Sequence, residues 1–91
     1  MKQNKKILLV EDNSDHVLLA KRALNVAKID AEMIVMSDGE QALAYLKEKS
    51  GSDLPHVVLL DLGLPGIGGL EVLQQIRNDP LTRQLSVVIL S

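Results

Sequence analysis

Four short apolar runs, separated by stretches with helical periodicity, leave this 91-residue chain few folds to adopt. The first run is Ile7-Leu8-Leu9-Val10. Four apolar residues in succession suit a strand covered on both faces. Asn13-Ser14-Asp15 then supplies helix-start chemistry, because short polar side chains satisfy free backbone N–H groups. Val17, Ala20, Leu24 and Ala27 recur at helical spacing, with Lys21, Arg22, Asn25 and Lys28 on the other face. Ala31 to Met36 is a second strand. Ser37-Asp38-Gly39-Glu40 opens a second helix that runs to about Lys49, with Ala42, Leu43 and Leu46 inward. Ser50 to Asp53 makes a loop, and Pro55 precedes a third strand, His56 to Leu60. A loop rich in Gly and Pro runs from Asp61 to Gly69. A third helix starts at Gly69 or Leu70, turns Leu70, Leu73 and Ile76 inward, and stops at Asn78-Asp79-Pro80, where proline cannot continue the ladder. Val87 to Leu90 is the fourth strand, and Ser91 follows it. Strands alternating with helices predict an α/β fold with a doubly wound parallel sheet and right-handed crossovers.

Composition narrows the chemistry. With one Tyr, no Phe and no Trp, aliphatic residues must build the core. The absence of Cys excludes disulfides, thiolate zinc sites and cysteine nucleophiles. A net charge of −2 offers no bulk field for nucleic acid, so none is expected as a direct partner. No stretch approaches the ~20 apolar residues of a membrane span, and a cytoplasmic location is expected. Lys2, Lys5 and Lys6 read as a solvated lead-in to the first strand, because Glu11-Asp12 cuts off the apolar run too early for a signal peptide. His16 and His56 read as surface or loop residues, Tyr45 as a partly buried helix residue, and Met33 and Met36 as packing residues.

In an open parallel sheet, ligands bind outside the carboxyl ends of the strands. Glu11 and Asp12 stand after the first strand, Asp61 after the third and Ser91 after the fourth. Singly, Glu11 and Asp12 read as helix-starting residues and Asp61 as a turn residue. On neighbouring strands they read as one site. Two carboxylates ~4 Å apart repel by about 4 kcal/mol at an effective dielectric of ~20. Such a cluster either takes up a proton or binds a cation, and hard oxygen ligands favour magnesium.

The residues spell a known pattern. Leu8-Leu9-Val10-Glu11-Asp12-Asn13, followed by the run from Val57 through Asp61, Pro65 and Gly69 to Glu71, closely resembles the receiver domain of bacterial response regulators. Val87 to Ser91 resembles that family's fourth strand with its hydroxyl residue at the tip. The resemblance covers essentially the whole chain, read as one receiver domain over residues 1–91. It implies a CheY-like, flavodoxin-like fold and a Mg2+-dependent phosphorylation switch rather than an enzyme. Asp61 would accept a phosphoryl group from a histidine kinase, and Ser91 would be the switch hydroxyl. Glu11, Asp12, Asp61 and the backbone carbonyl of Gly63 would hold the metal. Pro65 would shape the loop after Asp61, and Gly69 would permit its turn into the third helix. A downstream effector protein is the implied output. Gly63 reads either as a flexible loop residue or, since by resemblance its position flanks the path of the hydrolytic water, as an opening that alters phosphoryl lifetime. The run from Leu70 to Pro80, with Leu81-Thr82-Arg83, resembles stand-alone receivers, including those paired with phytochrome-type kinases.

The chain also departs from the family pattern. A complete receiver has five strands in the order 2-1-3-4-5 and five helices. By resemblance this chain has the order 2-1-3-4, without the fifth strand and last two helices. The lysine that contacts the phosphoryl group and the aromatic switch residue are missing with them. The fourth strand would then be an apolar edge, so either a longer chain or a second copy pairing through that edge is expected. Three rival readings compete with this one. A flavin-binding module needs a Ser/Thr/Gly phosphate loop where Glu11-Asp12 stands. A magnesium-dependent phosphohydrolase needs a second acid two residues after the first, and Asp61-Leu62-Gly63 has none. A receiver-like interaction module that is not phosphorylated is the remaining alternative, kept alive by the missing lysine.

Overall fold

A computed structural model describes residues 5–49 and 51–90. The first apolar run lies inside the sheet. Strand β1 (Lys5–Val10) pairs in parallel with β2 (Ala31–Met36) on one side and β3 (Val57–Leu60) on the other. Strand β4 (Ser86–Ile89) pairs with β3, giving the order β2-β1-β3-β4. Three helices connect them: α1 (Ser14–Val26), α2 (Gly39–Glu48) and α3 (Gly69–Asn78). From β1 the chain steps one way to β2, then back past β1 to β3. Right-handed crossovers therefore put α1 on one face and α2 and α3 on the other. The reversal lies between β1 and β3, where a doubly wound sheet opens its ligand crevice.

The core lies between the sheet and α2 and α3. Leu8 and Val10 of β1 and Val58 and Leu60 of β3 meet Ala42 and Leu46 of α2 and Val72 and Ile76 of α3. Each fully buried Leu, Ile or Val contributes roughly 1.5–3 kcal/mol relative to exposure. The inward stripe of α3 differs from the sequence reading. Leu70 is 62% exposed, while Val72 and Ile76 are buried. The helix begins at Gly69, so its inward positions run Gly69, Val72, Leu73, Ile76 at the i, i+3, i+4, i+7 spacing. Helix α1 departs further. It buries no residue completely; Val17, Ala20 and Leu24 are half-covered, and Ala27 lies past its end and is exposed.

Caps fix the helix starts. The Asn13 side chain accepts from the amides of Asp15 (2.8 Å) and His16 (3.3 Å), and Asp38 accepts from Gln41 (2.8 Å). The far end of α3 is tied down twice. The buried Thr82 hydroxyl donates to the Ile76 carbonyl at 2.8 Å. Arg77 Nη1 donates to the carbonyls of Arg83 (2.7 Å) and Leu85 (2.8 Å), just ahead of β4. Lys5 and Lys6 belong to β1 itself, and Lys2 lies outside the described residues. His56 is exposed, and its Nδ1 accepts from the Lys6 amide at 3.0 Å. Tyr45 is half-buried, as are Met33 and Met36. Val88, Ile89 and Leu90 are 47%, 40% and 43% exposed at the β4 edge. No described helix is long and apolar enough to cross a membrane.

Candidate metal and phosphoacceptor site

Strand register builds the site. Val10 pairs with Leu60, so β1 and β3 end side by side. The next residues extend the ladder: the Glu11 amide donates to the Met36 carbonyl at 3.0 Å, and the Asp61 amide to the Val10 carbonyl at 3.1 Å. One carboxylate oxygen each from Glu11, Asp12 and Asp61 then lie within 4.8 Å of one another. Glu11 is buried, Asp61 half-buried and Asp12 exposed. These donors are all hard oxygens, and three ionised carboxylates so close would repel unless one takes up a proton or a cation lies among them. The chemistry of the donor set fits a divalent cation of the magnesium or manganese type.

The loop after Asp61 is fixed at several points. The Gly63 amide donates to Asp61 Oδ1 at 3.1 Å, folding the chain back on the acid. Leu64 is buried in the main core and anchors the loop from below. Pro65 is exposed, and the turn with positive φ comes at Gly66 (71°), where a Cβ would strike the Glu40 carboxylate at 2.8 Å. Gly69 serves a different purpose from the one read in the sequence. Its φ is not positive; a Cβ there would lie 2.5 Å from the Asp61 carbonyl oxygen. Glycine at 69 lets α3 start hard against the end of β3.

Two contacts hold Glu11. Its Oε2 accepts from the Asn13 amide at 3.3 Å, and its Oε1 lies 3.1 Å from His16 Nδ1. Sequence reasoning placed His16 on the surface and missed this contact. The available signal was its place in α1: with Asn13 as the cap, His16 is the third helical residue, whose side chain reaches back toward the residues ahead of the helix. At the tip of β4 the Leu90 amide donates to the Leu60 carbonyl at 2.9 Å. Ser91 lies outside the described residues.

Residues 7–91 match the family model of the response regulator receiver domain. The chain belongs to that family. This receiver is 44% identical over 87 residues to the probable methanogenesis regulatory protein FilR2 of Methanothrix harundinacea, covering 93% of this chain and 56% of the relative. It is 39% identical over 90 residues to the response regulator Rcp1 of Synechocystis sp., covering 96% and 61%. The receiver therefore spans little more than half the length of these relatives. Its fold superimposes on the bacteriophytochrome response regulator RtBRR with a TM-score of 0.87 at 44% identity, over 98% of this chain and 57% of that one. A Mn2+-bound form of Rcp1 matches with a TM-score of 0.83 at 38% identity, over 93% and 63%. The receiver's relatives are two-component response regulators, and its cluster of Glu11, Asp12 and Asp61 fits the phosphoacceptor site of such domains. Receiver domains act in general as switches rather than enzymes.

Proposed function

We propose that this receiver is a phosphorylation switch in which Asp61 takes a phosphoryl group from a sensor histidine kinase. An Asp61 carboxylate oxygen forms a bond to phosphorus as the P–N bond of a phosphohistidine breaks. The bonding pair leaves with the imidazole nitrogen, and Asp61 becomes an acyl phosphate. Glu11, Asp12 and Asp61, with the backbone carbonyl of Gly63, would hold Mg2+. Bound there, the ion supplies the charge neutralisation that phosphoryl transfer requires. The chain's own part is positioning: β1 and β3 set the acids side by side, and the Gly63 amide orients the Asp61 carboxylate. The acyl phosphate would form by self-catalysis, and water would later break its P–O bond, giving back the Asp61 carboxylate and inorganic phosphate. Ser91 is proposed as the switch hydroxyl. Residues 1–91 are read as belonging to one receiver domain, on the strength of the match over 7–91.

The added group carries roughly −1.5 to −2 charge and new acceptor oxygens. A loop biased by that charge would be read by a downstream effector protein in the cytoplasm. The observation that carries the proposal is the meeting of three carboxylates within 4.8 Å at the carboxyl edge of the sheet. Incubation with Mg2+ and a small acyl-phosphate donor, followed by intact mass, tests it. One added phosphoryl group is expected on the wild type and none on Asp61→Asn. Equal labelling of both, or of neither, refutes the assignment.

A further inference from the structure

Glu11 is 4% exposed and lies beside the carboxylates of Asp12 and Asp61. A buried carboxylate keeps its charge only when its oxygens are satisfied. The Asn13 amide serves Oε2 at 3.3 Å, a long bond. At 3.1 Å, His16 Nδ1 is the shorter of these two contacts, and it falls on the other oxygen. The His16 backbone is itself fixed, because its amide donates to the capping Asn13 side chain. From there the imidazole reaches back over the end of β1. With a proton on Nδ1 the ring donates to Oε1, and both Glu11 oxygens then have a donor.

We infer that His16 is a positioning residue for the cation site, holding the Glu11 carboxylate in the orientation in which it faces Asp12 and Asp61. The inference rests on the reading of those acids as a divalent-cation site. Outer partners of ligating carboxylates typically affect metal affinity by about 10–100-fold. His16 has a side chain 58% exposed, so water competes for the bond and the effect belongs at the low end of that range. The ring also borders a hollow of about 440 Å³ lined by Glu11, Leu19, Ala20 and Leu90, which leaves room for a replacement side chain.

Isothermal titration of the unphosphorylated protein with MgCl2 tests this in the wild type, His16→Ala, His16→Asn and Val26→Ala. The Asn amide nitrogen stands where Nδ1 stands and can donate to Oε1. The expected result is a Kd raised about tenfold in His16→Ala and restored to within about twofold of wild type in His16→Asn. Val26, 82% exposed at the far end of the same helix, is the control, and its variant should match wild type. A purely structural role for His16 would not be rescued by Asn and would show as a fall in thermal midpoint instead. Wild-type affinity in His16→Ala, or equal weakening in His16→Ala and His16→Asn, overturns the inference and leaves the acid site standing. A wild type that binds no Mg2+ overturns both.

Discussion

The Asp61 amide donates to the Val10 carbonyl at 3.1 Å, so the third strand delivers its acid one residue past a pair in register with the first. Glu11 and Asp12 are the next residues along β1, and the bond sets all three acids at one edge. Sheet register thus places the three acids, and the loop after Asp61 adds Gly63 beside them.

The three acids should make metal-free protein less stable than metal-loaded protein. A cation present at a hundred times its Kd stabilises by about 2.7 kcal/mol, which raises the midpoint of a domain this size by roughly 10–20 °C. Asp12→Asn should bind Mg2+ at least tenfold more weakly, and its melting temperature in chelator should exceed that of the wild type. Differential scanning calorimetry with and without Mg2+ reads both effects. Equal melting temperatures in all four conditions would count against the cation site.

Gly63 faces open space except for Asp61. A Cβ there would sit 3.8 Å from Asp61 Oδ1, at ordinary contact distance, and φ is not positive, so side chains are accommodated. Gly63→Asn and Gly63→Glu should fold normally, with stability changed by only about 0.5 kcal/mol. Each would screen the approach of water to a phosphoryl group on Asp61. A phosphoryl lifetime several-fold longer is the expected outcome, followed as loss of label after donor removal. An unchanged rate in both variants would end the idea.

Gly69→Ala should be costly although Ala is the better helix former. The new methyl would press on the Asp61 carbonyl oxygen at 2.5 Å and the Leu62 Cα at 2.7 Å, and both are backbone. A loss of about 1–3 kcal/mol in urea unfolding is expected. Gly68→Ala, whose nearest contact is 3.9 Å away, should be mild by comparison.

Thr82→Val keeps the shape and removes the hydroxyl that serves the Ile76 carbonyl at 2.8 Å. A buried acceptor that loses its donor costs roughly 1–3 kcal/mol. The urea midpoint should fall accordingly, while phosphorylation of Asp61 in the presence of Mg2+ stays at the wild-type rate.

Much of this is legible in the residues alone. The β–α rhythm needs only the apolar runs and the polar caps, and Asn13 and Asp38 cap the helices as read. The acid cluster follows once β1 and β3 are neighbours. What the sequence could not resolve depends on packing. Leu70 looked inward because leucine is apolar, but the phase of α3 is set by where it starts, and Gly69 takes the inward place. Gly69 looked like a turn residue because glycine often is; only the closeness of the Asp61 carbonyl reveals its purpose. The stripe of α1 implied burial, yet Val17, Ala20 and Leu24 are only half covered, because burial depends on what lies opposite. The link from His16 to Glu11 crosses a strand end and a helix cap, and no periodicity reports it.

Helix α3 is clamped at both ends to different strands. Gly69 abuts the carbonyl of Asp61, and Arg77 grips the carbonyls of Arg83 and Leu85 at the entrance to β4. Its ten residues span the distance from the acid-bearing end of the third strand to the approach of the fourth, so one helix touches both.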